Sequence, residues 1–180
     1  MYQKRNSKIF ILSGKARSGK DIVANVIEEY FGKDNSIKIS YAYYIKDYLT
    51  RMNKYNENEK SKYRSLLQDF GVELLSKKIS PNFLIDRLMQ DVEVFSHFYD
   101  VIIITDARLV NEIEIPRRKF DNITTIRILN DSINDLTEIE RKHITETGLD
   151  TYKDFDYIIN NNSSLEELKN KTIEILKGAR

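Results

Sequence analysis

Cysteine is missing altogether from the 180 residues, and histidine occurs only twice, at His97 and His143. Disulfides, thiolate zinc sites and cysteine nucleophiles are therefore excluded, and a histidine-built metal centre has too few ligands. Proline (2) and glycine (6) are scarce, which argues against a linker-rich assembly and makes each glycine informative. Charge of one sign is also lacking: 29 Lys+Arg against 28 Asp+Glu gives +1, unlike the field of a dedicated nucleic-acid or membrane-surface binder. The longest apolar runs, 9–12 and 101–104, fall far short of the roughly 18 residues of a membrane helix, and the polar opening 1–8 does not read as a secretory signal. A cytoplasmic location with no membrane or nucleic-acid partner is expected. At 41% hydrophobic and 32% charged residues, the composition is that of a globular chain of one domain's length, with no repeats or low-complexity segments.

The hydrophobic pattern alternates between short apolar runs and helical periodicity. Residues 8–13 form an apolar run bounded by polar residues and glycine, as expected of a strand buried on both faces. From Asp21 the apolar positions Ile22, Val23, Val26, Ile27 and Tyr30 recur at helical spacing up to Gly32. Further strands are expected over 37–40, 99–105, 122–129 and 155–160. Helices are expected over 42–52, over 59–78 in spite of Gly71, from the Ser80-Pro81 start to about Phe95, and from the capping box Ser164/Glu167 to about Lys177. Gly71 either bends the long helix or admits a close neighbour. The stretch 109–120 resists assignment because Pro116 removes a hydrogen bond from any helix spanning it. Five strands joined by helices give an α/β fold of three layers, with a mainly parallel sheet flanked by helices.

Between the first strand and the first helix lies 14–21 (GKARSGKD), the G-x-x-x-x-G-K spacing of a phosphate-binding loop in the context such a loop requires. Gly14, Lys15, Ala16, Arg17, Ser18, Gly19, Lys20 and Asp21 are the expected ATP-binding residues. Glycines let the amides turn toward phosphate oxygens, the helix N-terminus adds a positive dipole end, and Lys20 can reach the β and γ phosphates. Asp21 stands where Ser or Thr is usual, and its carboxylate can hold Mg2+ directly or through water. Arg17 offers a planar fork to phosphate oxygens. Asp106 follows an apolar run, at the C-terminal strand edge where open α/β sheets bind ligands, and is the expected second Mg2+ or water ligand. Arg108, two residues on, can grip an acceptor phosphate.

Several blocks, in one order along nearly the whole chain, resemble the bacteriophage-type deoxynucleoside monophosphate kinases: the loop segment LSGKARSGKD (12–21), SYAYYIK (40–46), RSLLQDFG (64–71), FLIDR (83–87), ITDARLVNE (104–112) and HITE (143–146). The loop and the TDxRxxNE block are the specific ones. The animal-type phosphomevalonate kinases share the Asp-ending loop and some later blocks, so phosphorylation of another small phosphate acceptor is the alternative. A non-catalytic nucleotide-binding module is a further one. The resemblance implies a P-loop kinase fold in a single domain, with a helical acceptor-binding insertion at about 42–97 and a mobile lid at about 129–146. It implies ATP- and magnesium-dependent phosphorylation of a (deoxy)nucleoside 5′-monophosphate, with Lys20, Arg17, Asp106 and Arg108 at the transferring phosphates. By match, Lys46, Arg64, Gln68 and Arg108 would hold the acceptor, Tyr41 and Phe70 would stack on its base, and Arg127 or Arg141, with His143 and Glu146, would belong to the lid. A homodimer is compatible with all of this.

Overall fold

The computed structural model describes residues 3–56, 63–131 and 143–178. Strand β1 (Lys8–Ser13) occupies the centre of a five-stranded sheet. Its apolar residues alternate between two cores: Ile9 and Ile11 pack on one face with Tyr41, Tyr44, Leu88 and Val92, whereas Phe10 and Leu12 pack on the other with Val23, Ala24, Ile27, Leu168 and Leu176. Burial on both faces explains the unbroken apolar run, since a half-solvated strand would alternate with polar residues.

The chain continues through α1 (Lys20–Phe31), a short 3-10 turn, β2 (Ser36–Ile39), α2 (Tyr41–Arg51), α3 (Arg64–Asp69), α4 (Phe83–Phe95), β3 (Val101–Ala107), α5 (Asn111–Lys119), β4 (Ile123–Leu129), α6 (Ile144–Thr147), β5 (Tyr157–Asn160) and α7 (Leu165–Gly178). The strand order is β2-β3-β1-β4-β5. All four pairings are parallel, so the expectation of a mainly parallel sheet becomes a wholly parallel one. Because β1 lies between β3 and β4, the chain leaves it toward one side for β2 and β3 and returns to the other for β4. That reversal opens a crevice at the C-terminal end of β1, where 14–21 begins.

Three local features depart from the sequence reading. Beyond α3 the helix widens into a π-helical stretch (Phe70–Ile79), and Gly71 lies so close to α2 that a Cβ there would stand 2.8 Å from Ile45 Cδ1. Helix α4 starts at Phe83 after an Asn82 cap rather than at Pro81, because Ser80 closes a turn first: its carbonyl accepts the Phe83 amide at 3.1 Å. Helix α5 does run through Pro116. The missing amide of Pro116 would have served the Glu112 carbonyl, and the Tyr41 hydroxyl donates to that carbonyl instead, at 2.9 Å. No helix among the described residues is long and apolar enough to cross a membrane.

Candidate active site

The loop 14–21 turns at the end of β1 through a Ser18 amide to Lys15 carbonyl bond of 3.2 Å, and Gly19 caps α1, its carbonyl accepting the amides of Ile22 and Val23. Two residues take left-handed backbone here, Gly19 at φ 103° and Arg17 at φ 60°. For Arg17 that conformation costs about 1 kcal/mol, strain of the kind that collects at functional turns. At Gly14 the constraint is space, since a Cβ would meet the Ser18 hydroxyl and lie 2.5 Å from the Ile128 carbonyl oxygen. From below, Asn161 at the end of β5 donates to the Ser18 carbonyl at 2.9 Å.

Lys20 folds back over this turn. Its ammonium donates to the carbonyls of Gly14 (2.7 Å) and Lys15 (2.6 Å) and reaches Ser18 Oγ at 3.4 Å. Burial lowers its pKa to about 7, helped by the positive charge of Arg108 and opposed by Asp21, Glu146 and Asp106. The lysine is thus held in a tight, poorly solvated seat where an incoming polyanion is its natural counter-charge.

Across the crevice, Arg108 at the end of β3 directs Nη1 to Glu146 at 3.0 Å and to the Thr145 carbonyl at 3.3 Å. Its backbone amide and that of Leu109 donate to the Glu112 carboxylate at 2.6 and 3.0 Å. Burial pushes the Glu112 pKa up to about 7 even though these amides favour the charged form. Asp106 accepts the amides of Tyr41 (2.8 Å) and Ala42 (2.9 Å), one on each oxygen, and so fastens the first turn of α2 to the end of β3. Desolvation raises its pKa against the pull of those two amides, Arg108 and Lys20.

Around this centre the sequence-derived candidates separate. Gln68 on α3 donates to Thr145 Oγ1 at 3.0 Å, and His143 caps α6 by accepting the Thr145 amide at 3.3 Å, so Gln68, His143, Glu146 and Arg108 do converge. Tyr41 does not serve as a stacking surface: at 3% exposure it belongs to the core and spends its hydroxyl on Glu112. Tyr43, on the opposite face of α2 and 60% exposed, takes the surface position. With Lys46, Asp47, Tyr55 and Tyr63 it lines a cavity of about 710 Å³. Phe70 is half-buried where α3 passes into the π-helical stretch. Arg127 is not a lid residue, because it lies within β4 and is buried, donating to Ser13 Oγ at 2.8 Å and pairing with Asp150 at 3.3 Å. Arg141 lies outside the described residues, as does most of the expected lid; α3 is described from Arg64 as backbone. Two participants went unread: Asp150, which also pairs with Lys15 at 3.0 Å, and Asn161. Only the position of Asn161 just beyond the last apolar run, at the ligand-bearing strand edge, could have signalled it.

Asp21, in the first turn of α1, is exposed and lines a cavity of about 280 Å³ together with Ser40 and Thr105. A carboxylate and two hydroxyls form an oxygen set suited to a hard cation that keeps several waters. They fit Mg2+, although no cluster of three or more acidic or histidine ligands exists among the described residues.

A family model described as deoxynucleotide monophosphate kinase matches residues 50–172, about two-thirds of the chain. No curated protein sequence matches. Among solved structures, dephospho-CoA kinase from Campylobacter jejuni superposes with a TM-score of 0.56 at 11% identity, covering 97% of this chain and 98% of that one. APS kinase from Mycobacterium tuberculosis gives 0.52 at 12% identity over 96% and 99%. Shikimate kinase from Bacteroides thetaiotaomicron gives 0.51 at 14% identity over 94% and 98%. At such identities these likenesses establish the P-loop kinase fold and nothing finer.

Proposed function

The chain belongs to the deoxynucleotide monophosphate kinase family, and on that premise we propose that it transfers the γ-phosphoryl group of ATP to the 5′-phosphate of a (deoxy)nucleoside monophosphate. The observation that carries the reading is the loop 14–21 with Lys20 seated over it, facing Arg108 across the crevice. This loop lies outside the matched residues 50–172, so donor site and family assignment support each other independently.

The reaction joins an acceptor phosphate oxygen to the γ phosphorus as the bond from that phosphorus to the bridging β–γ oxygen breaks, and the electron pair leaves with ADP. The attacking oxygen is already anionic, so no protein base is needed, and the work is alignment and charge neutralisation. Loop amides and Lys20 hold the β and γ phosphates; Arg17 and Arg108 supply guanidinium charge to the oxygens of the group in transit. Magnesium bound with the nucleotide would neutralise phosphate charge, with Asp21, Ser40 and Thr105 as the residues placed to hold it. Asp106 has lone pairs left for such a role, but its two amide bonds make it the anchor of α2. Acceptor recognition falls to the helices between β2 and β3. Lys46, Arg64 and Gln68 would provide cation and amide contacts, and Tyr43, Tyr55 and Tyr63 flat surfaces for a base in the 710 Å³ cavity.

ADP formation measured with each ribo- and deoxyribonucleoside monophosphate, and with phosphomevalonate, tests the reading. Turnover with at least one nucleoside monophosphate is expected. Turnover with phosphomevalonate alone would replace the acceptor assignment, and ATP binding without any diphosphate product would replace the kinase assignment by a binding module. Asp106→Asn separates the two roles of that residue. An amide in place of one carboxylate oxygen removes an acceptor for the α2 backbone, so the acceptor KM is expected to rise roughly five- to tenfold, with little change in ATP KM. A collapse of kcat relieved by excess Mg2+ would instead mark Asp106 as a metal ligand.

A further inference from the structure

The Ala16 amide, inside the loop, donates to Oε2 of Glu146 at 3.2 Å, and that same oxygen lies 3.0 Å from Arg108 Nη1. The Glu146 side chain is only 2% exposed. An anionic oxygen held between a loop amide and a guanidinium is where a phosphate oxygen would sit in a loop of this type. One amide hydrogen and one guanidinium edge cannot serve a buried carboxylate and a phosphate oxygen together, and two anions sharing that position would repel strongly.

The segment carrying Glu146 is docked on the loop at several points. Asp150, four residues on, pairs with Lys15 and Arg127, and Gly148 packs so closely that a Cβ there would lie 2.9 Å from the Arg108 carbonyl. On the far side, Thr145 is tied to Gln68 of α3. Glu146 therefore occupies contacts that the loop and Arg108 would otherwise give to a triphosphate, while Asp150 fastens the same segment to Lys15 and Arg127.

From this geometry, and resting on the donor-site reading above, we infer that Glu146 is a positioning residue that holds the Ala16 amide and Arg108 in place of phosphate and surrenders both when the triphosphate enters. It pre-sets Arg108 at the site of transfer and makes nucleotide binding compete with an internal anion. Part of the intrinsic affinity for the triphosphate is used to displace the carboxylate, as for any site whose competent form is a fraction of the whole. Because Thr145 in the same turn touches Gln68, release of Glu146 also alters what the acceptor helix rests on.

The test is calorimetric titration of the full chain with inorganic tripolyphosphate and with ATP, for the wild type and for Glu146→Gln, which retains an oxygen for Ala16 but loses the charge. The variant is expected to bind both probes about tenfold more tightly, and its KM for ATP to fall without a rise in kcat. Loosened packing alone would move KM the other way. Gly148→Ala is the second variant. Its methyl group would press on the carbonyls of Ile144 and Arg108 and lift the segment without touching any charge, so tighter binding by a smaller factor is expected. Unchanged or weaker binding in Glu146→Gln overturns the inference, as does a wild-type complex with ATP in which Glu146 still accepts the Ala16 amide. If Glu146→Gln does not fold, Gly148→Ala and the wild-type complex decide. Binding of neither probe by the wild type overturns the donor-site reading and the inference with it, whereas binding with equal affinity in the wild type and the variants overturns the inference alone.

Discussion

Replacing Lys20 by Met should lower kcat/KM for phosphoryl transfer by about 10³-fold while leaving the melting temperature within a few degrees of the wild type. The methionine keeps an unbranched apolar stem in the buried seat, so packing is largely retained, but the ammonium that sits over the Gly14 and Lys15 carbonyls is gone. Coupled measurement of ADP release checks the first half, and thermal unfolding the second. Equal rates in the two proteins would remove Lys20 from the mechanism. The wild-type pH profile carries a companion result. Lys20 is effective as the ammonium, and in the folded chain burial and Arg108 bring its pKa to about 7, so kcat/KM for ATP should decline as pH rises through that value. Stability should move the opposite way: the unfolded chain keeps this proton up to the ordinary 10.5 and the folded chain does not, so this residue's contribution to stability grows between pH 7 and 10.5. The Met variant should lose both dependences.

Arg108→Ala is expected to reduce kcat by roughly 10²- to 10³-fold with a much smaller effect on ATP binding, because a guanidinium aimed at the group in transit matters most when charge is redistributed. Rapid-quench measurement of product against ATP affinity from calorimetry separates the two. Lysine should rescue only part of the loss, since its ammonium is a compact point charge that cannot present two parallel N–H donors to phosphate oxygens as the planar guanidinium does. The Ala variant should also displace the basic limb of the pH profile slightly to higher pH, because Arg108 adds to the larger effect of burial in depressing Lys20. A limb displaced to lower pH would contradict that assignment.

The parts of the site legible in the sequence are those whose chemistry is local. Glycine spacing, an apolar run before it and helical periodicity after it are enough to place Lys20 at the start of α1 and Arg108 at the end of β3. What escaped reading depends on partners distant along the chain. Helix α5 runs through Pro116 with its stranded Glu112 carbonyl served by Tyr41, 71 residues before Glu112, and that bond ties Tyr41 into the core. The phase of α2, which buries Tyr41 and Tyr44 and exposes Tyr43, is fixed by Asp106 gripping its first two amides from another strand. The resemblance makes Arg127 a candidate lid cation, yet it stands in a buried strand next to Ser13. Asp150 and Asn161 belong to no motif, and their roles arise only where the ends of β4 and β5 meet the loop.

The central position of β1 bears on how the molecule comes into being on the ribosome. Its neighbours are β3 and β4, so Phe10 finds its register partners Ile103 and Thr124 only after 93 and 114 further residues have been synthesised. Such distant parallel pairings form slowly and leave the nascent N-terminal strand exposed meanwhile. A truncated product ending before β4 would therefore present an apolar edge and no assembled phosphate loop, making it a substrate for chaperones or proteases rather than a partly active enzyme.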